Sequence, residues 1–137
     1  MPMIRQFITL PYDWGAVIYY DSTVRDIPDI LQTMDAIGCS TELLQRAEAN
    51  LKGGALNRGV TYSDPWLRMS VVVIGKASSS RQFFNSYDHE KNHLAEHIAT
   101  YNGIDEKSEE MAYLRGYIAQ KTYGVASKLL CECGERS

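Results

Sequence analysis

The sequence predicts an α+β domain in which a small antiparallel sheet of about three strands packs against four or so helices. Three observations carry that reading. A chain of 137 residues, 45% of them apolar, can bury one core and is too short for two ordinary ones, so residues 1–137 are read as one unit with a frayed tail from about 131. Short segments rich in β-branched and aromatic residues lie between turn formers. Four longer segments repeat their apolar residues every three or four positions.

The elements follow in order. Residues 15–21, GAVIYYD, form the first strand, ended by polar breakers. From 22 to 37 Val24, Ile27, Ile30, Leu31, Met34 and Ile37 make one apolar stripe, so this segment is an amphipathic helix, with Pro28 tolerated in its first turns and Gly38 ending it. Ser40 caps a second helix, TELLQRAEANLK, which stops at Gly53 and Gly54. NRGVTYSD and RMSVVVIGK then form a hairpin turning at Asp64 and Pro65; its second strand is so apolar that it must be well covered. Serines 78–80 offer N-caps for a long helix reaching about Tyr101, broken by Asn102 and Gly103. Ser108 caps a last helix to about Tyr123, with a continuation toward Leu130. The order β, α, α, β, β, α, α has too few strands for a nucleotide-binding α/β sheet, and no internal repeat is visible.

A net charge of −3, with no long run of either sign, gives no footprint for nucleic acid or an anionic membrane, and no stretch is apolar enough to span a bilayer. Neither a signal peptide nor a paired cysteine set is recognisable, so a cytoplasmic location is expected. Cys39, Cys131 and Cys133 are an odd set, and the one-residue gap in CEC is too short for a structural zinc pair.

All three histidines fall in YDHEKNHLAEHI, residues 87–98. On a helix at about 100° per residue, Phe83, Tyr87, Leu94, Ile98 and Tyr101 make the core stripe, while His89 and His93 lie about 40° apart beside it and Glu90 projects between them and the stripe. Imidazoles at i and i+4 can share one zinc ion, and a carboxylate directly after the first histidine reaches a water on that ion without ligating it. HEKNH is that H-E-x-x-H pattern. The bland alternative, solvated helix residues matching by accident, requires the chain's whole histidine content to fall there by chance. His97, two turns from His89 and about 12 Å along the axis, is expected at the edge of the site and not as a ligand. The third ligand is expected from the following helix, SEEMAYLRGYIAQ: Glu109 in preference to Glu110, because Glu109 shares its face with the small residues Ala112 and Gly116. Asp105 and Glu106 are weaker candidates. Acidic residues in a first helical turn also have a purely electrostatic reason to be there.

HEKNH followed by EEMAY on a second helix resembles the zincin metallopeptidases, in their glutamate-ligand (gluzincin) branch, and the short zincin-like proteins of bacteria and their mobile elements. The resemblance covers about residues 71–120. It implies a zinc-dependent hydrolase of peptide (amide) bonds in which His89, His93 and Glu109 hold zinc and Glu90 acts as general base, with His97, Tyr113 or Tyr117 steadying the oxyanion. It also implies that the strand before the active helix, with Val72, Val73, Ile74 and Gly75, is an edge that holds an extended peptide. The expected partner is a peptide or protein substrate, neither nucleic acid nor membrane. The competing reading is a metal-retaining zincin-like module that binds a peptide or protein and cuts nothing.

Overall fold

Residues 4–130 are described by the structure, a computed structural model; Cys131 and Cys133 lie outside them. The expected α+β class is what forms, with four strands and four helices. The additional strand is β1, Ile4–Leu10, which pairs antiparallel with β2, Trp14–Ser22. Its alternation of exposed and covered residues is that of an edge strand with one face on a core: Ile8 and Leu10 are buried while Phe7 is 60% exposed.

Helix α1, Ile27–Ala36, carries Pro28 in its first turn, where no intrahelical N–H is lost, and α2, Thr41–Lys52, starts at Ser40, whose hydroxyl accepts from the Leu43 amide at 3.2 Å. The hairpin is β3, Val60–Asp64, and β4, Met69–Gly75. Helix α3, Ser80–Asn102, is capped by the Ser79 hydroxyl and closed by Gly103 at φ 68°, a left-handed position natural for glycine. Helix α4, Glu109–Leu130, runs unbroken through Gly116 and Gly124.

The sheet order is β1-β2-β4-β3, and β2 lies parallel to β4. Both central strands are buried almost along their whole length because both sheet faces are covered. Val17, Tyr19, Val71 and Val73 face α1 and α2; Ala16, Ile18, Val72 and Ile74 face α3 and α4. The chain is thus two β-β-α-α halves joined through a parallel central pair, their helices on opposite faces. That repeat is one of elements and not of residues. It escapes the sequence because β1 does.

The topology corrects one expectation directly. β4 is not an edge: Val72 and Val73 pair with β2 on one side and β3 on the other, and residues 71–75 are buried. Gly75 presses against the neighbouring turn, where a Cβ would stand 1.8 Å from the Leu56 carbonyl oxygen. These residues are core and cannot hold an extended peptide. The strand whose outer side is free next to the histidine helix is β3.

Candidate functional site

Register decides what faces the histidines. Thr61 pairs with Val72 and Ser63 with Ser70, so alternation along β3 sends both hydroxyls to the sheet face covered by α3. Helix α3 crosses β4 and β3, and α4 packs beside it toward β1. The buried side of α3 holds Phe83, Tyr87, Leu94 and Ile98 as expected, with Ala95 and Ala99 letting α4 approach. Tyr101 is half exposed instead, stacked on Trp14 at a centroid distance of 6.2 Å.

His89, Glu90, His93 and His97 open into a cleft of about 380 Å³ whose other wall is Arg58, Gly59, Val60 and Thr61. The Nε2 atoms of His89 and His93 lie 3.1 Å apart. Two nitrogens at 2.0–2.1 Å from a tetrahedral ion stand about 3.3 Å apart, so the pair already converges on the spacing that a shared zinc requires. Glu96 Oε1 lies 3.3 Å from His93 Nδ1. A carboxylate beside Nδ1 would favour metal binding through Nε2 by accepting the Nδ1 proton in the bound state. Replacing Glu96 by Gln is therefore expected to weaken zinc binding by about 10- to 100-fold without unfolding the helix, measured by competition with a chromophoric chelator.

Glu90 is 2% exposed, and its Oε1 accepts a hydrogen bond from the Thr61 hydroxyl at 2.9 Å. Gly59 closes over it: φ is 94°, and a Cβ would stand 3.0 Å from Glu90 Cγ and 3.2 Å from Oε2. Glycine is needed there both for the left-handed backbone and for the close approach. Burial raises the Glu90 carboxyl above the ordinary carboxylate range, opposed by the Thr61 hydrogen bond and then by His93 and His89.

His97 ends a buried polar chain. Trp14 Nε1–H donates to Ser70 Oγ at 2.9 Å, Ser70 meets Ser63 Oγ at 2.6 Å, and Ser63 meets His97 Nδ1 at 2.7 Å. The indole can only donate. Ser70 accepts the indole proton, and with the ring neutral the order Ser70 to Ser63 to Nδ1 keeps every hydroxyl proton within this chain and leaves Nε2–H of His97 for the cleft. Burial, and then His93, lower its pKa and favour the neutral ring, with Glu96 acting the other way. His97 lines the cleft, anchored to β3 through Ser63.

The glutamates of α4 lie elsewhere. The Tyr87 hydroxyl meets Thr122 Oγ1 at 2.5 Å, fixing how the antiparallel α3 and α4 lie against each other. At 1.5 Å per residue, Glu109 then sits roughly 10 Å beyond the level of His93, and α4 is on the flank of α3 away from β3. Glu109 is exposed, and Glu110 is bonded to the Tyr12 hydroxyl. Ala112 and Gly116, expected to face the histidine helix, are exposed, and α4 buries Met111, Leu114, Ile118, Thr122 and Ala126. Tyr113 is 72% exposed and Tyr117 37%, neither lining the cleft. Among the described residues no group of three or more His, Cys, Asp or Glu side chains is placed to hold a metal ion. The residues present fit a two-histidine site and do not fit the His89, His93 and Glu109 set.

The residues that the sequence reading passed over are Arg58, Gly59, Thr61 and Ser63. One signal was available: hydroxyls at 61 and 63 alternate onto one face of a strand. Which helix that face meets is not written in the sequence.

No protein-family description, curated protein or solved structure matches the chain.

Proposed function

We propose that the protein is a zinc-dependent hydrolase of peptide (amide) bonds, with His89 and His93 as the metal-holding pair and Glu90 as general base. The observation that supports this reading is the convergence of the two Nε2 atoms to 3.1 Å beside a buried carboxylate in an open cleft. When bound, zinc supplies a Lewis acid that activates water near neutral pH. Everything else falls to the chain. Thr61 occupies Glu90 Oε1, so Oε2 takes the proton and later returns it to the leaving amine. His97, held by Ser63, offers its Nε2–H to negative charge developing on the substrate oxygen, a role that Tyr113 and Tyr117 are too far from the cleft to fill. The extended substrate runs along the free side of β3, taking the part first assigned to β4. The proposed partner is a peptide or protein and the proposed location the cytoplasm; among the described residues no helix is long and apolar enough to cross a membrane.

The position of Glu109 favours a second reading, a zincin-like module that keeps its metal and binds a peptide without cutting it. Glu90→Gln separates the two. Under the hydrolase reading zinc content stays at the parent level while cleavage of a peptide library, followed by mass spectrometry, falls by about 10²- to 10⁴-fold. Absence of cleavage by the zinc-loaded parent favours the module.

The same variant carries a stability prediction. Because the folded carboxyl titrates above its unfolded value, the stability that Glu90 contributes is fully present below the ordinary carboxylate range and is lost as pH rises through the raised folded value. At neutral pH the ionised, desolvated group is a cost. Metal-free Glu90→Gln is therefore expected to melt above the metal-free parent at pH 7, with the difference vanishing in acid.

A further inference from the structure

We infer that the groove along the outer side of β3 contains a carboxylate subsite built around Arg46, so that the favoured ligand is an extended peptide bearing a carboxylate near the histidine cleft. The inference rests on reading that cleft as the place of cutting, but its test does not require any bond to be cut.

The free side of β3 lies in a trough between α3 and α2. Beyond the histidine cleft the trough deepens into a cavity of about 230 Å³ lined by Arg46 from α2, Tyr62 and Ser63 from β3, and His97, Thr100 and Tyr101 from α3. It shares Thr61 and His97 with the cleft, so the two are one continuous groove. An unpaired strand side within such a trough is the usual seat of an added peptide strand.

The charges of this groove are one-sided. Its only acidic lining residue is Glu90, which is buried and held by Thr61, whereas Arg46 and Arg58 are exposed. Among the described residues neither guanidinium has an ion pair, although acidic residues outnumber basic ones in the chain, 17 to 14. A second, independent observation lies at the same place. Tyr62 is 6% exposed, and its hydroxyl is buried with Asn50 as its near polar neighbour and Arg46 close by, a contact short of good hydrogen-bond geometry. A buried hydroxyl left so is costly and unusual. A ligand carboxylate would accept from the exposed Arg46 guanidinium, whose planar fork suits that geometry, with the enclosed Tyr62 phenol behind it. Tyr101, stacked on Trp14, supplies an apolar wall for the stem of an acidic side chain.

The strand sets the direction of approach. Thr61 touches Glu90, while Ser63, two residues on, touches His97. The carboxylate taken by Arg46 approaches from the α2 side of β3, across the strand from the face that carries Thr61 and Ser63. Either an Asp or Glu side chain or the peptide's own C-terminus can supply it.

Fluorescein-labelled eight-residue peptides in a Val/Thr-rich host test this by anisotropy against the full chain with and without zinc. One carries a single Glu with an amidated C-terminus, one is neutral with a free C-terminus, and one is neutral and amidated. At least one carboxylate peptide is expected to bind the parent at least ten-fold more tightly than the neutral amide, and which one does so identifies the source. Arg46→Glu should erase that advantage, Arg46→Lys should keep part of it, and the remote charge reversal Arg25→Glu should keep all of it. Equal or absent binding of the three peptides by the parent overturns the inference, as does an advantage that survives in Arg46→Glu or is lost equally in Arg25→Glu. If the histidine pair takes up no zinc while the carboxylate preference stands, the hydrolase reading fails and this one does not.

Discussion

His93→Ala is expected to lose zinc outright, weakening binding by more than about 100-fold, beyond the effect typical of removing a group that only orients a ligand. Elemental analysis of protein purified without added metal is the measurement, set beside the parent, His89→Ala and Glu109→Ala. The geometry assigns these variants unequal outcomes. His89 and His93 share the 3.1 Å convergence and should fail alike, whereas Glu109, exposed on the far flank of α3, should leave the metal content unchanged. Equal loss in Glu109→Ala would mean that α4 takes up another position over α3 when metal is bound, and would restore the ligand set first expected from HEKNH and EEMAY. Unchanged metal in His93→Ala would end the metal reading altogether. Since binding to the native state adds to its stability, the parent's melting temperature should also rise with zinc and that of His93→Ala should not.

Gly75→Ala should destabilise the fold by about 3 kcal/mol or more, because the added methyl would meet a backbone oxygen and not a movable side chain. The Cβ position lies 1.8 Å from the Leu56 carbonyl oxygen, in the turn that leads into β3. Either that turn or the end of β4 has to move, and both carry the cleft: Gly59 follows the turn and covers Glu90. Urea denaturation reads the loss of stability, and the near-ultraviolet spectrum reads the loss of aromatic packing in the core as a whole. Gly116→Ala is the control. Nothing lies within 4 Å of its Cβ position on the exposed side of α4, so replacing a mid-helix glycine should add about 1 kcal/mol. A null result for Gly75→Ala would mean that the turn at 55–57 yields freely, and with it the wall of the cleft.

Several elements were legible because their signals are local. Caps at Ser40, Ser79 and Gly103 bound their helices where the side-chain chemistry says they should, and the spacing of His89 and His93 needs only helical geometry to bring two rings together. β1 was less legible, because IRQFITL alternates without the long apolar run of a central strand and is broken from β2 by Tyr12 and Asp13, both at positive φ. The apolar run of β4 was read correctly as covered and then assigned to an edge by family resemblance. The pairing register contradicts that assignment.

By itself the sequence determined the helices, their caps, the apolar faces and the clustering of all three histidines on one helix, since each depends on residues within a few turns of one another. The tertiary structure alone decided that β3 and not β4 is the edge beside the histidine helix, that Thr61 and Gly59 enclose Glu90, that Ser63 meets His97, and that Glu109 lies away from the histidine pair. Those outcomes depend on strand order and on which flank of α3 receives α4. Both are settled by how two apolar sheet faces are covered at once, a condition that no short stretch of the chain contains.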